Sequence, residues 1–183
     1  MLTGIKTEDT MHPEQKEFTA RVKRQYPQHF KNINVVDFGS LNINGSNKVL
    51  FEDCNYVGVD IGAGVGVDVI CKAHMYIANG LQDTIISTEM LEHDVHWKES
   101  VQNMIDSLRV GGLLVITCAT TGRKEHGTRR TTPRDSPFTL DYYHNIERKE
   151  FKDVVEKYFE SYALETYPER GDLNFYGIRN SVV

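Results

Sequence analysis

The sequence predicts an α/β fold with a mostly parallel sheet, flanking helices and an antiparallel hairpin at the C-terminal end. Short apolar runs rich in valine and isoleucine alternate with segments of helical periodicity, as in right-handed strand–helix–strand units. Most of these runs are apolar throughout, which is typical of strands buried on both faces. Two of them end in a carboxylate, Asp37 and Asp60, so we expect two acids at one edge of the sheet.

The N-terminal half supplies one helix and most of the parallel strands. Within a predicted helical segment, residues 1–32, Pro13 suits a first helical turn, and apolar residues recur at helical spacing before Pro27. Five strands are predicted at residues 33–37, 56–60, 65–71, 84–87 and 113–118. Between the last two, the apolar spacing of residues 97–108 predicts a helix. Gly111 and Gly112 are expected to end that helix and begin the fifth strand.

The C-terminal half predicts one more helix and the hairpin. Apolar residues at 151, 154, 155 and 158 have helical spacing, and residues 162–167 and 173–178 are predicted as the two hairpin strands. The region from Ala119 to Asn145 has no such pattern. It is longer than a compact domain usually leaves without structure, so we predict a functional loop at 119–145.

Length, net charge, cysteine content and the lengths of the apolar runs limit the classes of function that the sequence allows. The 183 residues suit one domain spanning 1–183, and a net charge of −5 argues against unspecific binding to nucleic acid. Cys54, Cys71 and Cys118 are expected to be buried, reduced thiols. The first 15 residues are too polar for a signal peptide and no apolar run is long enough to span a membrane, so the expected location is the cytoplasm. Nothing in the sequence indicates an oligomeric state.

Two cofactor classes fit a pair of acids at one sheet edge. A nicotinamide dinucleotide needs a Gly-x-Gly-x-x-Gly loop for its pyrophosphate, and the loop from Gly39 to Gly45 lacks that spacing. Asp37 would also repel a pyrophosphate, whereas a carboxylate suits an ammonium or sulfonium group. S-adenosylmethionine carries both of these groups and a ribose diol for Asp60. Electrostatics therefore favours S-adenosylmethionine.

Five segments, in order, resemble the motifs of class I S-adenosylmethionine-dependent methyltransferases of the small-molecule type. They are Asp37–Ser40, Tyr56–Ile61, Asp68–His74, Asp83–His93 and Leu108–Val115. The resemblance covers roughly residues 33–120 and implies a Rossmann-like, seven-stranded sheet whose last strand is antiparallel. In the first motif, Leu41 and Ile43 stand where the family has glycines. We expect Asn42, Asn44 and Gly45 to supply the positive backbone angles instead.

The resemblance implies a set of cofactor-binding residues. Asp60 would bind the ribose, Ile61 would pack on the adenine, and Ala73 and His74 would border the purine. The remaining members lie near the methionine end or the floor of the site, and they are Asp37, Gly39, Ser40, Ser87 and Thr88. Asp37 has a second interpretation as a turn cap, His74 as a surface side chain, and Ser87 as a strand end.

The chemistry of methyl transfer points to the ends of the fourth and fifth strands. Glu89, Glu92 and His93 would share one face of a helix and could bind a divalent cation together with His126. Some O-methyltransferases of the superfamily use such a cluster, but the Leu-Glu-His sequence also occurs in members without a metal. We therefore favour no metal, with His93 or His126 as general base and Tyr142 as the third candidate catalytic residue.

The predicted loop at 119–145 allows two interpretations. Its arginines match phosphate or carboxylate groups, and its tyrosines can stack on a sugar or a base. It would then be a lid that binds the acceptor. Alternatively, it is a solvated charged loop whose arginines are balanced by its own acids. The basic residues concerned are Arg123, Lys124, Arg129, Arg130 and Arg134.

The sequence thus predicts a methyltransferase that moves a methyl group from S-adenosylmethionine to a small acceptor. The leading acceptor is a hydroxyl of a carbohydrate or glycan precursor, and the product of the cofactor is S-adenosylhomocysteine. Three alternatives remain open: a nucleic-acid methyltransferase, an inactive S-adenosylmethionine-binding module, and a dehydrogenase.

Overall fold

The computed structural model describes residues 13–181 of the chain. Residues 1–12 of the predicted helical segment lie outside the described residues. Three α-helices are present: α1 (Pro13–Gln25), α2 (Trp97–Ser107) and α3 (Arg148–Val155). The strands are β1 (Asn34–Phe38), β2 (Asn55–Asp60), β3 (Val69–Ile70), β4 (Gln82–Thr88), β5 (Leu108–Ala119), β6 (Ser161–Tyr167) and β7 (Asp172–Ile178).

The strands form one seven-stranded sheet in the order β3-β2-β1-β4-β5-β7-β6. The pairs that β1 to β5 form with one another are parallel, and β7 is antiparallel to both β5 and β6. The predicted mostly parallel sheet with a C-terminal antiparallel hairpin is therefore confirmed. In the register of β1, Phe38 pairs with Val59 and with Ser87, so the carboxyl ends of β2, β1 and β4 meet at one edge.

Both faces of the sheet are covered because successive strand residues point to opposite sides. On one face Val36 and Ile85 belong to a core cluster that also contains apolar residues of α2 and α3. On the other face Val35 and Ile86 pack in a second cluster with α1, which buries Phe18 and Val22. The apolar runs of β1, β4 and β5 are buried for this reason, whereas the run that contains β3, at the edge of the sheet, is exposed.

Two predicted boundaries are wrong. The third strand is only two residues long, because the backbone before it turns back toward the loop after β1, where the Asn42 N–H donates to the Val65 carbonyl. Helix α2 ends at Ser107, four residues before Gly111. Gly111 lies inside β5, at a φ of +75°, and its N–H pairs with the Arg179 carbonyl.

The cysteines are only partly as predicted. All three are unpaired, and Cys118 is buried, but Cys54 and Cys71 are half-buried because they lie next to turns at the ends of β2 and β3. Within residues 13–181, no helix has the length and apolar character needed to cross a membrane.

Candidate active site

A cavity of about 500 Å³ opens at the carboxyl ends of β1, β2 and β4. Its wall is formed by the loops that follow these strands and by the segment 135–142 of the long loop. Crevices at the carboxyl ends of parallel strands are the usual ligand sites of open α/β sheets. The cavity therefore lies at the edge of the sheet where the sequence predicts Asp37 and Asp60.

The loops after β1 and β2 pack backbone against backbone, which requires glycines outside the first motif. A Cβ atom at Gly58 would lie 1.9 Å from the Gly66 carbonyl oxygen, and one at Gly66 would lie 2.6 Å from the Ser40 carbonyl oxygen. Gly39, at a φ of +81°, makes the turn at the end of β1. These contacts show how the loop keeps its path without the two family glycines.

The expected substitutes for those glycines are only partly correct. Gly45 has a φ of +126°, as predicted, but neither Asn42 nor Asn44 has a positive φ. Asn42 acts through hydrogen bonds instead: its N–H reaches Val65 across the loops, and its side-chain oxygen accepts the Gly45 N–H at 2.8 Å.

Asp60 ends β2 and lines the cavity. Its carboxylate accepts the N–H of Leu41 at 3.3 Å and the N–H of Gly62 at 2.9 Å. A carboxylate has about four acceptor positions, so these two bonds orient the group and leave capacity for further donors. Partial burial raises the pKa of Asp60. The acid that the sequence assigns to a ribose diol is thus fixed in place and faces the cavity.

Four more predicted cofactor-binding residues line the cavity: Gly39, Ile61, Ala73 and Thr88. The Ile61 side chain is 40% exposed although it is apolar, so it offers a surface on which a flat ring could pack. Thr88 accepts a hydrogen bond from the Asn47 amide at 3.0 Å. The structure brings these four residues and Asp60 together around one space.

Four predicted cofactor-binding residues do not line the cavity. Asp37 is buried and accepts the Tyr56 hydroxyl at 2.6 Å. Ser40 is buried beneath Gly58, His74 lies with its ring 4.2 Å from that of His96, and Ser87 is fully buried in β4. A direct role for these four in cofactor binding stays a prediction.

Glu89 is held by an ion-pair network rather than by a helix. It has a φ of +53°, and the residues after it, Leu91–His93, form a single 3₁₀ turn. The predicted helical face shared by Glu89, Glu92 and His93 is therefore wrong. The Glu89 carboxylate accepts the Thr117 hydroxyl at 3.1 Å and lies 3.4 Å from the Arg123 guanidinium, which also contacts Asp172 at 2.5 Å.

Replacing Arg123 with alanine is expected to lower the free energy of unfolding by about 2 kcal/mol, because Glu89 and Asp172 would lose their shared cation. The loss is smaller than for a fully buried pair, since Asp172 keeps Arg170 at 3.2 Å. Urea unfolding of Arg123→Ala measures it, with Arg129→Ala, an exposed arginine of the same loop, as the control. Equal stability of the two variants would contradict the assigned role of Arg123.

The three candidate catalytic residues all line the cavity. His93 is buried, and burial together with the nearby His126 lowers its pKa to about 4. The His93 ring lies 5.1 Å from the His126 ring and 5.4 Å from that of Tyr143. At neutral pH, His93 is therefore a neutral imidazole facing the cavity.

Gly127 allows the long loop to approach His93. Its φ is +68°, and a Cβ atom there would lie 2.6 Å from Cε1 of His93. The side chain of Tyr142 is half-buried and contributes to the wall farther along the loop. The loop thus carries His126 and Tyr142 to the cavity although they are distant from β4 in sequence.

The long loop has features of both interpretations given above. Phe138 covers Gly62, where a Cβ atom would lie 1.9 Å from the phenyl ring, so the segment closes over the Asp60 side of the cavity. Arg130, in contrast, pairs with Glu125 at 2.8 Å and Asp141 at 3.7 Å, both within the loop. Arg129 and Arg134 are exposed. The loop forms part of the cavity wall, and the charge of at least one of its arginines is neutralised by acidic residues of the same loop.

Sequence reasoning missed several residues of the site. Phe138 and Tyr143 come from the loop, and Met90 packs against the Gly39 turn. The one sequence signal for Phe138 was that it is an apolar aromatic residue within a charged loop. The position of Met90 follows from the positive φ of Glu89, which no sequence pattern indicates.

Comparison with protein-family models finds no match, and comparison with curated proteins finds none either. Solved structures do match. The chain is similar to the N-methyltransferase NodS from Bradyrhizobium japonicum in complex with S-adenosyl-L-homocysteine. That match has a TM-score of 0.60 and 10% identity, and it covers 92% of this chain and 88% of that chain.

Two further structures are similar. One is the 1,6-didemethyltoxoflavin-N1-methyltransferase of Burkholderia thailandensis with 1,6-didemethyltoxoflavin and S-adenosylhomocysteine (TM-score 0.61, 13% identity, 95% of this chain, 80% of that chain). The other is a phosphoethanolamine N-methyltransferase of Haemonchus contortus with phosphomonomethylethanolamine and S-adenosylhomocysteine (TM-score 0.65, 14% identity, 91% of this chain, 53% of that chain). The chain has the class I methyltransferase fold, as the sequence predicts.

Proposed function

We propose that this protein is an S-adenosylmethionine-dependent methyltransferase that acts on a small acceptor. The observation that carries the proposal is the position of Asp60, which is oriented by two backbone N–H groups and faces the cavity at the end of β2. The fold supports it, since similar structures were solved with S-adenosylhomocysteine.

The wall suggests how the cofactor would bind. Asp60 would accept the two ribose hydroxyls, each a neutral donor to a charged acceptor. Ile61 and Ala73 would border the adenine, and the Gly39 turn would admit the methionine end close to the backbone. When bound, S-adenosylmethionine supplies the electrophilic methyl group. The protein has to align the acceptor with that methyl, exclude water and manage the acceptor proton.

The rest of the wall favours an acceptor rich in hydroxyl groups. It contains hydrogen-bonding side chains, namely His93, Asp94, His126, Asp135 and Tyr142. Neutral imidazoles and carboxylates accept hydrogen bonds from hydroxyls, and an aromatic face can stack on a sugar ring. We propose O-methylation of a carbohydrate or glycan precursor on this basis. The similar structures include N-methyltransferases, so an amine acceptor is the alternative.

A methyl-transfer screen tests this function. The purified 183-residue chain is incubated with S-adenosylmethionine and a panel of sugars, glycosides, amines and oligonucleotides, and the products are read by mass. We expect one added methylene unit on a hydroxylated small molecule, with turnover that changes little with salt. Transfer to oligonucleotides alone, with steep loss at high salt, would favour the nucleic-acid alternative. Cofactor binding without transfer to any member of the panel would favour the inactive module.

A further inference from the structure

Glu92 is a buried carboxylate that nothing in the proposed function requires. Its side chain is 0% exposed, and neither oxygen has a hydrogen-bond partner among the described residues. Arg123, whose charge acts on Glu92, forms its ion pairs with Glu89 and Asp172. An ionised carboxylate that is buried without a partner is costly, so the site calls for a proton or a cation.

His126 faces this carboxylate with its Nε2 atom, which lies 3.9 Å from Oε1 of Glu92. Its Nδ1 lies 3.2 Å from the Lys124 carbonyl oxygen, and a carbonyl can only accept, so Nδ1 carries a proton. A metal ion bound at Nε2 would supply the positive charge that the buried carboxylate requires.

His93 completes a set of three ligands. One donor atom from each of Glu92, His93 and His126 lies within 4.8 Å of the others. The two elements that carry them are tied together, since the His144 N–H donates to the Glu92 carbonyl at 2.8 Å and Gly127 admits the His93 ring. The Nδ1–H contact of His126 to a backbone carbonyl is the outer support that metal-binding histidines commonly have.

The ligand types select the kind of ion. Calcium and magnesium prefer oxygen ligands, whereas imidazole suits zinc, iron, cobalt and other transition metals. Two histidines and one carboxylate leave coordination positions open for water or a substrate.

We propose that Glu92, His93 and His126 form a binding site for a divalent transition-metal ion at the wall of the cavity. Neither histidine is then a general base, which revises the preference drawn from the sequence. His93 and His126 line the same space as Asp60, so the open positions of the metal would face a bound acceptor.

The catalytic consequence rests on the proposed function, although metal binding itself does not. A Lewis acid at this position would lower the pKa of an acceptor hydroxyl, whose proton would leave to water. The oxygen would then bond to the methyl carbon as the sulfur–methyl bond breaks. The electron pair stays on sulfur, which gives neutral S-adenosylhomocysteine. This step favours an oxygen nucleophile over an amine.

Metal binding is tested on the 183-residue chain after removal of metals with a chelator. Zn²⁺, Co²⁺, Mn²⁺ and Mg²⁺ are each titrated in calorimetry without cofactor, and the visible absorption of bound Co²⁺ reports its ligands. We expect one transition-metal ion per chain and weaker binding of Mg²⁺. Loss of outer-shell support typically costs about 10- to 100-fold in metal affinity, so Glu92→Gln, which removes the negative charge of a direct ligand, is expected to cost at least ~10-fold.

His126→Ala is the second variant, because His126 is on a half-buried loop and its removal leaves the core intact. His96→Ala is the matched control: it removes a histidine from the same cavity wall, outside the cluster. Equal zinc affinity in His126→Ala and the unaltered chain, or no stoichiometric binding of any transition metal, would overturn the metal site. S-adenosylhomocysteine affinity is measured on the same metal-free protein. Cofactor binding without metal binding would reject the metal site alone. Metal binding without cofactor binding would reject the proposed function alone.

Discussion

Replacing Asp60 with alanine is expected to weaken binding of S-adenosylhomocysteine by about 1–3 kcal/mol, because the ribose hydroxyls lose a charged acceptor. That range corresponds to a rise in the dissociation constant of roughly 5- to 150-fold. Isothermal titration calorimetry measures the change directly.

Asp60 also binds the N–H groups of Leu41 and Gly62, so its removal could loosen the loop around the cavity. Asp60→Asn separates the two effects, because an amide keeps one acceptor oxygen for the backbone but removes the charge. We expect an intermediate loss of affinity with unchanged thermal stability. Asp106→Ala, an exposed aspartate on α2, is the control. Unchanged affinity in Asp60→Ala would mean that the ribose lies elsewhere.

The second large effect concerns the pH dependence of stability. Burial raises the pKa of Asp37 from an ordinary value near 3.8 to about 7, although the Tyr56 hydroxyl bond opposes the shift. The folded protein therefore holds this proton more tightly than the unfolded chain. It loses stability as pH rises from about 4 to about 7, and the loss from this group is complete above that range.

Asp37→Asn removes this titration. At about 1.4 kcal/mol per pKa unit, a shift of roughly three units is an effect of up to about 4 kcal/mol. We expect the free energy of unfolding of the variant, relative to the unaltered protein, to increase by up to that amount between about pH 4 and about pH 8. Urea unfolding across this range measures it, with Asp106→Asn as the exposed control. A difference that stays constant with pH would show that Asp37 titrates normally.

The fold could be predicted because burial on both faces leaves a direct trace in the sequence. Val35 and Val36 point to opposite cores, so the whole run must be apolar, and the same holds for Ile85 and Ile86. The exact length of β3 could not be predicted in this way. Its start is set by the turn of the preceding backbone toward the loop after β1, and the contact involves Val65 and Asn42 through backbone atoms alone.

In the candidate site too, some residues could be predicted from the sequence and others could not. Asp60 and Gly39 were predicted because strand ends of a parallel sheet meet at one edge, which is a property of the topology. The pairing of Arg123 with Asp172 and the approach of His126 to Glu92 depend on the path of a long loop. Neither leaves a local pattern, and the positive φ of Glu89 breaks the helical spacing that the sequence suggested.

The most direct test of the central claim is a crystal structure of the 183-residue chain grown with saturating S-adenosylhomocysteine. We expect the nucleoside in the cavity at the ends of β1, β2 and β4, with both ribose hydroxyls within hydrogen-bond distance of the Asp60 carboxylate and the adenine against Ile61. An empty cavity under these conditions, or a nucleoside bound away from Asp60, would contradict the account.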